Sequence, residues 1–216
     1  MKKPTMLIFI FLIFILTSCK DKEKEAHYKL LKAIETNDKA SVKRLISEGA
    51  KVNGFKGFTT QPVIYAQNDK EMIQILVDAG ADINSEDYVE GSLLYKHAEK
   101  ADIDFLKFLI DLGAKPGLCK HKCPVINLAT NDKHYDKIKL LIENGANLKF
   151  KDSINKQTAL HLAAKFGAVK NIKLLIENGA DIREKCKLNQ TPLRYAKHGN
   201  SKEAVAIIEK ALEEKK

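Results

Sequence analysis

A glycine–alanine pair returns five times along this chain, at Gly49-Ala50, Gly80-Ala81, Gly113-Ala114, Gly145-Ala146 and Gly179-Ala180. The steps between them are 31, 33, 32 and 34 residues. Self-similarity at such a period marks a solenoid, in which one supersecondary unit stacks on the next because none can bury its apolar face alone. Each pair follows a short apolar helix signal: Val42-Lys-Arg-Leu-Ile46, Ile73-Gln-Ile-Leu-Val77, Leu106-Lys-Phe-Leu-Ile110, Ile138-Lys-Leu-Leu-Ile142 and Ile172-Lys-Leu-Leu-Ile176. Apolar residues at i, i+2, i+3 and i+4 cover more than one stripe, so these helices must be buried on more than one side. The glycine falls just past the helix end, where a left-handed residue turns the chain. Soon after it an apolar residue returns to the core, at Val52, Ile83, Leu148 and Ile182.

A second helix signal precedes each of the later ones. It is clearest at Thr158-Ala-Leu-His-Leu-Ala-Ala164 and Thr191-Pro-Leu-Arg-Tyr-Ala196. Weaker copies are Gln61-Pro-Val-Ile-Tyr-Ala66, Ser92-Leu-Leu-Tyr95 and Cys123-Pro-Val-Ile-Asn-Leu-Ala129. A hydroxyl can cap such a helix, and proline suits its first position. These segments resemble the ankyrin motif Thr-Pro-Leu-His-x-Ala-Ala. The resemblance implies an all-α ankyrin-repeat solenoid of six helix-turn-helix units joined by finger loops. The units run over about 26–54, 55–85, 86–117, 118–151, 152–185 and 186–216. It also places His161 in a structural role, bridging neighbouring turns. The middle units are least regular. The inter-helix loop is shorter near Asn68–Lys70 and longer near Thr130–Asp136, and glycine–serine stands where the third unit's threonine would be.

The first residues carry a separate message. A basic start, Met1-Lys2-Lys3, precedes ten apolar residues, Leu7 to Leu16. As a helix such a run reaches only ~15 Å, half of a bilayer core of about 30 Å. This is the pattern of a secretory signal peptide, residues 1–18. Its end, Leu16-Thr17-Ser18-Cys19, resembles the bacterial lipobox. The resemblance implies cleavage before Cys19, acylation of its thiol and anchoring in the cell envelope. Two acyl chains hold far more firmly than one. Residues 19–25, charged from Lys20 to Lys24, read as a flexible tether ahead of a repeat domain over 26–216. By resemblance to the enterobacterial lipoprotein sorting rule, lysine rather than aspartate at position 20 argues against inner-membrane retention, so the outer membrane is expected, facing the periplasm or the outside.

The formal charge is +9, and about +7 without Lys2 and Lys3. Arginine stands only at 44, 183 and 194, with no arginine-rich stripe, so nucleic acid is not expected as a partner. Besides Cys19 there are three cysteines, Cys119, Cys123 and Cys186. Cys119-Lys-His-Lys-Cys123 admits a disulfide, free thiols or a metal site, although no fourth ligand follows at motif spacing. A Cys119–Cys123 disulfide stays a candidate beside free thiols, and no metal is expected. Cys186 falls two units from the other pair, beyond the reach of a bridge.

No nucleophile elbow, phosphate loop or His-Glu-x-x-His run is present, so no catalytic residue, cofactor or small-molecule substrate is expected. By resemblance, ankyrin arrays bind other proteins on a concave face of finger tips and first helices. Mapped onto this chain, that face includes Phe58, Tyr88, Lys120, Lys122, Asn155, Lys165, Phe166, Lys187 and His198. The expectation is therefore a lipid-anchored binding module with a protein partner. The alternatives are an inhibitor of a toxic envelope enzyme, in the manner of an immunity protein, and, less favoured by the lipobox, an effector delivered to a host.

Overall fold

The structure, a computed structural model, describes residues 22–54, 61–87, 91–120 and 122–214. Cys19, the lipobox, Phe58, Tyr88 and His121 lie outside the described residues. The chain divides into two compact units, Met1–Asp82 and Ile83–Lys216.

The first unit holds two helix pairs: α1 (22–35) with α2 (Lys39–Ser47), and α3 (Pro62–Tyr65) with α4 (Lys70–Asp78). Helix α1 is already under way at residue 22, which differs from the flexible tether expected up to residue 25. Lysine and glutamate are good helix formers, and here they find ion partners. Lys29 pairs with Glu25 at 2.7 Å and Lys51 with Glu23 at 3.0 Å. Leu30, Val42, Ile73 and Leu76 form a core with no exposed surface. The two repeats are also tied at their fingers. Asn53 donates to the Gly80 carbonyl at 2.8 Å and accepts from the Asp82 N–H at 2.8 Å.

The second unit begins with a two-stranded hairpin. Strand β1 (Glu86–Asp87) pairs antiparallel with β2 (Gly91–Ser92), with Glu86 opposite Ser92 and Asp87 opposite Gly91. These two-residue strands are the departure from all-helical structure among the described residues. They pair the backbone of a finger that has no helix to satisfy it. Four helix pairs follow: α5 (Leu93–Ala98) with α6 (Ile103–Asp111), α7 (Pro124–Leu128) with α8 (Tyr135–Glu143), α9 (Ala159–Phe166) with α10 (Val169–Glu177), and α11 (Pro192–His198) with α12 (Lys202–Glu214). A 3₁₀ turn, Asp132–His134, takes up the longer loop of the α7–α8 repeat. Leu106, Leu109, Leu128, Ile138, Leu141, Ile172 and Leu175 are fully buried between layers.

The helix ends explain why the pairs form where they do. Aspartates 38, 69 and 102 cap α2, α4 and α6, each accepting a backbone N–H three residues on. Ser92 caps α5 by accepting from Tyr95, so the serine of the irregular third repeat does a threonine's work. Proline opens α3, α7 and α11 at a position whose N–H is not needed. Glycines 49, 80, 113, 145 and 179 all have φ between +82° and +94°, the left-handed turn that ends each second helix.

Repeats in this unit are sewn to one another by polar side chains. Asn84 donates to the Gly113 carbonyl at 2.9 Å and accepts from the Lys115 N–H at 2.7 Å, as Asn53 does within the first unit. Lys137, in the first turn of α8, reaches back to the carbonyls of Ala98 and Glu99 at 3.1 and 2.7 Å. Those carbonyls close α5, where a cation suits the negative end of a helix. Asn171 stands at the same place in α10 and reaches the carbonyls of Ala129 and Asn131.

Candidate binding surface

Finger loops and first helices share one face of the second unit. At its centre is a groove of about 300 Å³, lined among others by Tyr95, Lys122, Ile126, Phe150, Ile154 and Leu162. Three successive first helices, α5, α7 and α9, contribute Tyr95, Ile126 and Leu162, while the finger between α8 and α9 contributes Phe150 and Ile154. The Lys122 ammonium lies 5.2 Å from the Tyr95 ring centre, a cation–π distance.

The residues expected on this face separate into groups. Lys122 and Asn155 line the groove together. Lys120 and Lys187 are exposed on fingers two repeats apart. Lys165 and Phe166 end α9, with the ammonium 5.3 Å from the ring centre and Phe166 58% exposed. His198 is exposed at the end of α11. Sequence reasoning passed over the aliphatic finger tips. Leu118, Ile154 and Leu188 are 46%, 75% and 68% exposed. Their signal was available, since an aliphatic residue recurs in otherwise polar loops at steps of 36 and 34 residues, one per repeat.

The finger between α9 and the preceding repeat is rigid for an identifiable reason. One Asp152 carboxylate accepts the N–H groups of Ile154, Asn155 and Gln157, at 2.9, 2.7 and 2.8 Å. Gln157 then donates to the Tyr195 hydroxyl at 2.6 Å, and that hydroxyl donates to the Cys186 sulfur at 3.6 Å. This finger is thus braced against the next repeat before any partner arrives, which lowers the ordering cost of binding.

His161 belongs to the frame of this surface. It is fully buried, and its Nδ1 accepts the Thr158 N–H at 3.2 Å and lies 2.9 Å from the Thr158 hydroxyl. Its Nε2–H then donates to the Gln190 carbonyl of the next finger at 3.1 Å. Burial pulls its pKa below the usual imidazole value. A native pKa below the unfolded value of about 6.5 means that the unfolded chain takes the proton first. Stability is therefore fully present above about pH 6.5 and declines as pH falls below it. Thermal melts between pH 7 and pH 5 are expected to show this decline. A His161→Gln variant, less stable at pH 7, is expected to have a flatter profile.

The three cysteines of the repeats are thiols. Cys123 is buried at the start of α7, and Cys119 donates to the Pro116 carbonyl at 3.4 Å. The two sulfurs also hydrogen-bond to each other. That contact is the first cause pushing Cys119 well above an ordinary thiol, helped by burial, and drawing Cys123 down. Cys186 is buried against Tyr195, in a separate environment. Among the described residues no three His, Cys, Asp or Glu side chains gather as a metal set would. Among them, too, no helix is long and apolar enough to cross a membrane.

A family model described as ankyrin repeats, in three copies, matches residues 94–186 and 125–213, more than half of the chain. The chain belongs to the ankyrin-repeat family. Solved structures carry the same fold through both compact units. The ankyrin repeat protein EF0377 is 28% identical, with a TM-score of 0.68 over 85% of this chain and 97% of its own. A chain from the complex of the Bdellovibrio bacteriovorus predatory endopeptidase Bd0816 with immunity protein Bd3460 is 24% identical, with a TM-score of 0.63 over 87% and 98%. Among curated proteins, human mitochondrial disaggregase is 29% identical over 198 residues, which are 86% of this chain and 27% of that protein. The probable 26S proteasome regulatory subunit p28 of Saccharomyces cerevisiae is 31% identical over 148 residues, 65% of this chain and 64% of p28. The ankyrin chain thus spans less than two thirds of these curated relatives. Ankyrin repeats suggest a protein-binding module with a preformed surface.

Proposed function

We propose that this ankyrin-repeat protein is an exported lipoprotein that holds a second protein against the cell envelope through its finger and first-helix face. The observation that carries the binding reading is the exposure of Leu118, Ile154 and Leu188 on the last three fingers, set among lysines. Exposed apolar groups ringed by polar ones are what interfaces are made of. The anchoring reading rests on Leu16-Thr17-Ser18-Cys19 behind a short apolar run. In it, residues 1–18 are a signal peptide, and Cys19 carries acyl chains that fix the module to the outer membrane. No chemistry by the module itself is needed.

Both halves are testable in the source bacterium. A fatty-acid analogue fed to growing cells is expected to label the parent and not a Cys19→Ser variant, which should leave the membrane fraction. Equal labelling, or unchanged membrane retention, would remove the anchor from the proposal. The full chain, crosslinked in situ and pulled down from membranes, should retain a partner that an Ile154→Ser/Phe166→Ala variant loses. Retention by both would remove the face.

A second reading keeps the surface and changes the purpose, to stoichiometric inhibition of a toxic envelope enzyme. The likeness to a chain from the endopeptidase–immunity complex is one of fold. It motivates the assay that distinguishes the two: a captured partner that is an enzyme, titrated to full inhibition by an equimolar amount of this protein, favours the inhibitor. A partner whose activity is unchanged by excess favours the tether.

A further inference from the structure

Charge is sorted between the two helix layers of the second unit. Helices α5, α7, α9 and α11 contain Lys96, Lys165, Arg194 and Lys197 and no aspartate or glutamate. Their partners α6, α8, α10 and α12 carry nine acidic and seven basic residues. The last three fingers are more one-sided still, whereas residues 83–92 ahead of α5 hold Glu86, Asp87 and Glu90 and no lysine or arginine. Residues 115–123, 149–157 and 183–190 together hold nine lysines and arginines and two acids, Asp152 and Glu184. Both acids are engaged within the fold. Asp152 holds three backbone N–H groups, and Glu184 pairs with Lys151 at 2.7 Å. Glu86, on the adjoining hairpin, accepts the Lys120 N–H at 3.2 Å. A face with this excess of cations focuses a positive potential outward and favours an anionic partner.

The same three fingers carry Leu118, Ile154 and Leu188 at their exposed tips, and the groove beneath Ile154 is walled by Tyr95, Ile126, Phe150 and Leu162. Cations and exposed apolar side chains therefore share the same three fingers. Resting on the reading that this face is the binding face, we propose that its partner is an acidic protein segment bearing apolar side chains at intervals. Carboxylates meet the finger lysines, while an aliphatic or aromatic side chain enters the groove between α5, α7, α9 and the Ile154 finger. A nucleic acid or an anionic membrane offers the negative charge. A polypeptide offers the charge together with single apolar side chains, spaced to fit seats that each sit on a different repeat.

The test presents the purified full chain with a ribosome-displayed library of random 16-residue peptides. Selected sequences are expected to carry net negative charge and recurrent Leu, Ile, Phe or Met. Enrichment should fall at least tenfold on a Lys120→Glu/Lys187→Glu variant and on an Ile154→Ser/Leu188→Ser variant, and individual affinities should weaken with salt. All four positions are exposed, and matching unfolding curves for parent and variants confirm intact folds. Neutral or basic selected peptides, lost on Ile154→Ser/Leu188→Ser, overturn the acidic class while the face reading stands. Acidic peptides retained by both variants overturn the face itself, as does an absence of enrichment. Two controls decide the macromolecule: phosphatidylglycerol vesicles and a 20-nucleotide single-stranded DNA. Tighter binding of either one than of any selected peptide, with the same variant sensitivity, overturns the protein-segment proposal.

Discussion

Replacing Asn171 with alanine is expected to lower the unfolding free energy by about 2 kcal/mol, because a buried backbone carbonyl and a part-buried one lose their donor at once. Asn171 is fully buried in the first turn of α10. Its amide donates to the Ala129 carbonyl at 3.2 Å and to the Asn131 carbonyl at 2.9 Å, both in the preceding repeat. The seam is reciprocal. The N-cap residue of α10 is Ala168, which has no capping side chain, and Asp132 of the preceding repeat supplies the cap. Its carboxylate accepts the Lys170 and Asn171 N–H groups at 3.1 and 2.9 Å. In a repeat array such nearest-neighbour bonds are the coupling that makes the stack unfold together. The Asn171→Ala change should therefore broaden the urea transition as well as shift its midpoint. A double cycle with Asp132→Ala should show a coupling of about 1 kcal/mol, the range for residues in one network. Strict additivity of the two changes would show that the seam is not a unit.

Gly199→Ala is the second change with a large expected effect, and it acts through space rather than through φ. Gly199 has an ordinary helical backbone, with φ −77°. A β-carbon there would collide with the carbonyl group of Lys165 in α9, backbone against backbone, with no flexible side chain to give way. Opening that contact should cost about 3 kcal/mol, at the upper end for overpacking. The control is Gly179→Ala. Gly179 has φ +87° and open space where its β-carbon would stand, so the cost there is conformational alone, about 1–2 kcal/mol. Equilibrium denaturation of both variants decides the matter, and a smaller loss at Gly199 than at Gly179 would contradict the close approach of α9 and α11.

Much of this architecture is legible from the chain alone, for a physical reason in each case. The glycine–alanine period is legible because a left-handed helix end admits few residues besides glycine. The second helices are legible because burial on two sides demands more apolar positions than one stripe. Proline ahead of α7 and α11, and serine ahead of α5, mark helix starts by their backbone chemistry. The basic, lysine-rich character of the fingers is countable in the sequence as well. The charge sorting between helix layers is too, once the helices are assigned.

Other features needed the coordinates. Nothing in the spacing of Asp132 and Asn171 says that each serves the other's repeat, since a side chain's partner 39 residues away depends on how two repeats dock. The same holds for Gly199, whose necessity lies in the approach of a carbonyl from α9. Candidate binding residues were legible as finger-loop and first-helix positions. Nothing in the local sequence sets Tyr95, Ile126 and Leu162 apart, and only the stacking of three repeats turns them into a groove wall. Local chemistry, written residue by residue, determined the repeat, its helices and its caps. Tertiary structure decided which polar groups cross between repeats and which apolar side chains remain exposed, because both depend on distances between segments that are remote in the chain.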